Sequence, residues 1–213
     1  MRKVLCLALC LCLPLAAGTA AADRTVVTAL AADVNPDTLV SVAVDARIPE
    51  YDPASGLLTV ELIVPEMYDP EDIQSLKPGD AIFTQGREVE IRTVSDDSGY
   101  IVLNAEDDEA GEAVWLYESI DMNYWIMEYD DHTWTSLGTV QVPVPEHLLF
   151  LDGIDPSSGE ALNSPSVHSG KEFLGILAAE DTEDSGFTAN NVMVVFDGNG
   201  ELALIQRNYV PWQ

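Results

Sequence analysis

The sequence predicts a mainly β protein, built from antiparallel sheets as a sandwich or as small barrel modules, with at most one or two short helices. Three observations predict it. Apolar residues recur with a period of two, as in Val40, Val42, Val44 and Ala46 set against Ser41, Ala43, Asp45 and Arg47. Runs of strand length are punctuated by turn residues such as Gln85-Gly86, Asp96-Asp97-Ser98-Gly99 and Asp197-Gly198-Asn199-Gly200. Helical spacing is confined to short stretches.

Residues 1–22 read as a signal peptide. Arg2 and Lys3 form a positive start, Val4 to Leu15 is an apolar run, and Ala20-Ala21-Ala22 offers small residues before Asp23. Residues 23–37 read as an irregular lead-in. Val40 to Arg47 and Leu58 to Val64 alternate as half-buried strands, and Pro49, Asp52, Pro53 and Gly56 between them predict a hairpin with a long loop. Pro65 to Pro78 reads as a connector with one helical turn near Pro70-Glu71-Asp72-Ile73. Lys77-Pro78-Gly79-Asp80 then opens three short strands, Ala81–Thr84, Glu88–Val94 and Tyr100–Asn104, which predict a meander or small barrel.

The acidic, glycine-containing stretch Glu106 to Glu112 marks a soft boundary. An N-terminal β module over 23–104 and a C-terminal one over 113–213 are expected, either separate or sharing one continuous domain. In the second half, Trp115–Glu118, Tyr124–Tyr129 and Thr133–Val144 have strand character, and Pro143 and Pro145 place the last at a sheet edge. Residues 152–170, rich in Gly, Ser and Pro, predict a loop. Lys171–Ala179 suits a helix face or a short strand equally. Asn191–Phe196 and Glu201–Gln206 around Asp197-Gly198-Asn199-Gly200 form the clearest hairpin.

Composition narrows the function classes. All three cysteines, Cys6, Cys10 and Cys12, lie in the leader, so the exported chain has neither thiol nor disulfide. Leu5, Leu9 and Leu11 precede them, which fits no lipid-attachment signal. Removal of Arg2 and Lys3 from nine Lys+Arg leaves seven against 37 Asp+Glu, and the formal charge falls from −28 to −30. Such a surface repels nucleic acid and anionic lipid and favours cationic partners. No second apolar run is long enough to cross a bilayer, so no transmembrane segment is expected after cleavage.

The leader with its cysteines, Lys77-Pro78-Gly79-Asp80 and the terminal Tyr209-Val210-Pro211-Trp212 together make the arrangement resemble uncharacterised secreted proteins of anaerobic gut bacteria. The resemblance implies export, and it brings no active-site residues with it.

Chemistry-bearing motifs are sparse. There is no Gly-x-Ser-x-Gly elbow and no His-Glu-x-x-His, and His132, His147 and His168 lack zinc-ligand spacing. A carboxylate pair needs one acid raised by apolar burial, for which Glu118 and Glu128 have the most apolar sequence neighbours. Calcium is the possible cofactor, since Asp181, Glu183 and Ser185 before Gly186 match the first half of an EF-hand loop, although Val192 stands at its twelfth position. Asp197 and Glu201 also offer oxygens, but their glycines sit where a hairpin turn needs them. Trp115, Tyr117, Tyr124, Trp125 and Trp134 fall within 20 residues. They predict core packing or, as the alternative, a platform for a protein or glycan partner.

The expected function is therefore that of a non-enzymatic, exported acidic β protein with a binding or cell-envelope role, whether secreted, periplasmic or envelope-associated. A secreted carboxylate-pair hydrolase acting on glycans and a calcium-stabilised extracellular module are the alternatives.

Overall fold

The computed structural model describes residues 24–31, 34–106, 113–119, 122–128, 131–155, 158–179 and 186–209. The expected leader and the Asp181, Glu183 and Ser185 loop lie outside the described residues. Val26–Thr28 (β1) is followed by the expected hairpin of Val42–Asp52 (β2) and Leu57–Pro65 (β3). The β2–β3 register shifts between Arg47 and Glu50, around Pro49, which has no N–H to give to a ladder. Alternation then sorts the side chains. Val44, Ala46 and Ile48 of β2 and Leu58, Val60 and Leu62 of β3 are buried on one face.

This hairpin sits in a seven-stranded sheet. Its other members are Trp134–Pro143 (β12), Leu149–Ile154 (β13), Ala161–Ser169 (β14), Val192–Phe196 (β15) and Leu202–Arg207 (β16). The order is β12-β3-β2-β15-β16-β13-β14, and every pairing is antiparallel except β13 with β16. The end of β13 and all of β14 fall in residues 152–170, whose composition predicts a loop. The reason is position, because β14 is the edge strand and Pro165 falls inside the register shift between its Ser166 and Ala161 pairings. Gly153 lets β13 approach β16, since a Cβ there would lie 2.9 Å from the Arg207 carbonyl oxygen.

The ambiguous 171–179 segment is helical. Helix α2 (Gly170–Ala179) starts at a capping box in which Glu172 accepts from Ser169 N–H and O–H, both at 2.8 Å. Its Phe173 packs with Phe150 and Phe187 at ring-centroid distances of 5.2 and 5.4 Å, closing the larger core over the sheet.

A second unit is inserted between β3 and β12. The chain leaves the sheet at Pro65 and returns at Trp134, and these two residues are cross-strand partners. In between run Met67–Tyr68 (β4), α1 (Pro70–Ser75), Ala81–Thr84 (β5), Arg87–Glu90 (β6), Val94–Asp97 (β7), Tyr100–Leu103 (β8), Val114–Glu118 (β9), Tyr124–Glu128 (β10) and Asp131–His132 (β11). Helix α1 forms where Asp69 caps it, accepting from Glu71 N–H at 2.8 Å, with Pro70 at its first turn. The lead-in contributes β1, which pairs parallel to β5 in a three-stranded sheet β1-β5-β6. A six-stranded sheet runs β11-β10-β9-β8-β7, with β4 also on β10. Its core includes Tyr68, Ile73, Ile82, Leu103, Leu116 and Ile126. Both cores draw on residues either side of 106–112: Leu58 and Phe150 in the larger, Ile82 and Leu116 in the smaller. Among the described residues no sheet closes into a barrel.

Two buried polar centres tie this framework. At the neck of the insertion, Glu66 is 6% exposed and its carboxylate accepts from Tyr68 O–H (2.8 Å), Thr84 O–H (2.7 Å), Thr135 O–H (2.6 Å) and Gln85 N–H (3.0 Å). Burial first, and the adjoining Glu66 carboxylate second, push the Tyr68 phenol well above its ordinary range, so it remains a donor. In the larger core, Arg207 and Asp152 are cross-strand partners joined at 2.9 and 2.7 Å, with side chains 2% and 0% exposed. The guanidinium carbon lies 4.5 Å from the Phe187 ring centroid.

Asp152→Ala should destabilise the protein by about 3–5 kcal/mol, because Arg207 would remain buried without its counter-ion. The urea midpoint at unchanged slope measures this, and a loss below about 1 kcal/mol would show that the ion pair is not the constraint described.

Candidate functional site

The outer face of the six-stranded sheet carries the most organised set of binding-type side chains. Period two explains how it arises. In β9, Val114 and Leu116 turn into the smaller core, which leaves Trp115 and Tyr117 on the opposite face. In β10, Tyr124 and Ile126 take the core side and Trp125 the outer side. Register then aligns them across the strands. Asp97 of β7, Tyr100 of β8, Tyr117 of β9, Trp125 of β10 and Met67 of β4 are successive cross-strand partners, one continuous line across five strands.

The rings along this line touch edge-on or tilted. Tyr100 and Tyr117 lie 6.4 Å apart at 53°, Tyr117 and Trp125 6.4 Å apart at 57°, and Trp115 joins Tyr100 at 6.0 Å and 73°. These are favourable quadrupole geometries, so the rings brace one another. All four rings are half-buried, and Asp97 at the end of the line is exposed.

The structure thus brings together Trp115, Tyr117 and Trp125 and separates Tyr124 and Trp134 from them. Tyr124 is 7% exposed and belongs to the smaller core. Trp134, half-buried, begins β12 in the other sheet, opposite Pro65. Tyr100 is the member that sequence reasoning missed. It lies outside the 20-residue aromatic group, and only the β8–β9 register places it beside Tyr117.

The acids divide clearly. Glu66, Asp152 and Asp80 are buried, and each is engaged by protein donors; Asp80 accepts from Thr25 N–H at 3.0 Å and Lys77 N–H at 3.2 Å. Glu118 is exposed at the end of β9, and the Glu128 side chain lies outside the described residues. Burial pushes the Asp45 carboxyl above its ordinary value, but its cross-strand partners are Ile63 and Met193, which supply no second acid. On β14, Ser166 Oγ lies 2.8 Å from His168 Nε2, two residues along the same strand face, and the imidazole also packs at 5.7 Å from the Phe150 ring centroid.

For a metal, one group among the described residues presents convergent ligands. His147, in the β12–β13 connection, meets Asp197 and Glu201 of the β15–β16 hairpin, with one ligand atom from each within 4.8 Å of the others. Asp197 is held by the turn itself, accepting from Asn199 N–H at 2.8 Å and Glu201 N–H at 3.0 Å. The hairpin reading of its glycines therefore holds: Gly200 has φ +78° and approaches the Leu39 carbonyl, to which a Cβ would come within 3.1 Å.

Comparison with protein-family models, curated proteins and solved structures finds no match for this chain. Among the described residues no helix is long and apolar enough to cross a membrane.

Backbone hydrogen bonds from Glu201 and Asn199 hold the Asp197 carboxyl below its ordinary value. A lowered folded value means that this contribution to stability is present above the unfolded pKa and is lost as pH falls through the folded one. Carboxyl-carbon NMR titration should place the Asp197 midpoint below the usual aspartate value of about 3.9; a midpoint at or above that value would show that the turn does not hold the carboxylate.

Proposed function

We propose that this is an exported, non-enzymatic binding protein that docks a partner polypeptide across the aromatic line of the six-stranded sheet. The observation that carries the reading is the unbroken row Tyr100-Tyr117-Trp125 on the face opposite the core, with Trp115 alongside and the exposed carboxylate of Asp97 at one end. Tyr and Trp are the side chains that most often dominate binding energy, because they offer large rigid area at little entropy cost. Rings already braced by one another lose little freedom on docking.

Electrostatics narrows the partner. The expected exported chain has a formal charge of −30, obtained from −28 by removal of Arg2 and Lys3. A field of that sign draws in a basic partner and speeds its encounter. A Lys or Arg of the partner can then lie over a ring face while its charge is met by Asp97. Among the described residues the buried acids Glu66, Asp80 and Asp152 are engaged by protein donors, which favours binding over carboxylate-pair hydrolysis.

The test is a titration of the chain lacking residues 1–22 with short peptides that combine Lys or Arg with apolar residues, alongside acidic peptides and neutral oligosaccharides. The basic peptides should bind. Trp125→Ala and Tyr100→Ala should each weaken binding by about tenfold or more, equivalent to about 1.4 kcal/mol. Tyr124→Phe, in the core, should leave affinity unchanged. Affinity undiminished in both ring variants would assign binding to diffuse charge and sink the docking reading. Oligosaccharide binding lost in those variants would give the face to glycans instead.

A further inference from the structure

We propose that His147, Asp197 and Glu201 form a binding site for a divalent transition-metal ion of the zinc class, separate from the aromatic face. The three residues come from two connections about 50 positions apart, and the fold brings an imidazole and two carboxylates within 4.8 Å of one another. His147 Nε2 already lies 4.0 Å from Glu201 Oε2. Bonds of about 2.0–2.2 Å to a tetrahedral ion place donor atoms about 3.4 Å apart, so small side-chain rotations close the set.

The site is anchored on one side and adjustable on the other. Asp197 is fixed by backbone N–H groups of its own turn, at 2.8 and 3.0 Å. Both of those bonds go to Oδ1, while Oδ2, which accepts from the Asn199 side-chain amide at 3.3 Å, has a further lone pair to offer a metal. His147 and Glu201, with side chains 56% and 57% exposed, can swing onto an ion without disturbing the core. An imidazole with carboxylates selects zinc-class ions, whereas calcium takes oxygen ligands alone. Three protein ligands leave a fourth position for water or for a donor from a partner.

Such an ion would clip the β12–β13 connection to the tip of the β15–β16 hairpin. No cysteine follows Cys12, so a metal is the available cross-link at this end of the larger sheet. The two carboxylates gain a counter-charge in a strongly acidic chain.

Isothermal titration of the chain lacking residues 1–22 with zinc chloride should show one saturable site with a dissociation constant below about 0.1 mM. His147→Ala and Glu201→Gln should each weaken it by about tenfold or more, while the metal-free melting temperature stays unchanged. The His147 ring-nitrogen NMR signals should shift on zinc addition in the unsubstituted chain. Absence of a saturable site overturns the proposal, as does zinc affinity that is equal in His147→Ala and in the unsubstituted chain. Calcium binding as tight as zinc, and undiminished by His147→Ala, overturns the assignment of the imidazole as a ligand.

Discussion

The neck between the seven-stranded sheet and the inserted unit depends on one buried carboxylate. The chain departs from the larger sheet at Pro65, builds most of a second core, and returns at Trp134 opposite its point of departure. A long insertion hung from two adjacent strand ends needs something to fix its angle. Glu66 does this by accepting from residues on three different parts of the chain: Tyr68, the neighbours Thr84 and Gln85, and Thr135. Its backbone N–H also donates to Thr133 at 2.8 Å, which stitches the outgoing chain to the returning one. A buried charge is tolerated only when its hydrogen-bonding capacity is met, so the same cost that makes Glu66 expensive makes this geometry specific. Distortion of the neck would strand an unpaired acid.

The sequence reveals the fold class because period two survives wherever one face is buried. The β2–β3 and β15–β16 hairpins follow directly from it, and so does the division of β9 between core and outer face. Pairing over long separations leaves no such trace. Nothing in the local pattern says that β3 pairs with β12 rather than with the strand that follows it, or that β1 lies parallel to β5. The β13–β14 pair was hidden by Pro165 and by glycines and serines, which an edge strand accepts and a central one does not. The Arg207–Asp152 pair was legible in hindsight of a simple kind: Arg207 stands in step with buried Ile205, and Asp152 stands in step with buried Phe150 and Ile154. A charge at a core-face position of a strand demands a partner at another.

The candidate sites were legible to different depths. The aromatic group drew notice by density, but density mixes two faces. Tyr124 and Trp125 are neighbours in sequence and lie on opposite sides of the sheet, one in the core and one in the outer line. Register, a long-range property, made the line by adding Tyr100 and Asp97. His147 carries no zinc-type spacing to another histidine, because its neighbours are carboxylates on a hairpin some 50 residues on. Motif spacing reads ligands from one segment and is blind to sites assembled between segments.

The abundance of acids therefore says less than their company. With 37 of them, proximity of two carboxylates carries little information. What distinguishes a carboxylate is the second kind of group beside it. Glu66 and Asp152 face donors and are structural. Asp97 ends a row of rings, which suits a cation that is partly desolvated on an aromatic face. Asp197 and Glu201 face an imidazole, which suits a metal ion that prefers mixed nitrogen and oxygen ligands. The large negative charge then has two separable effects. Over the whole surface it favours basic partners, and on the two proposed readings the row of rings and the imidazole are the neighbouring groups that would turn attraction into a defined contact.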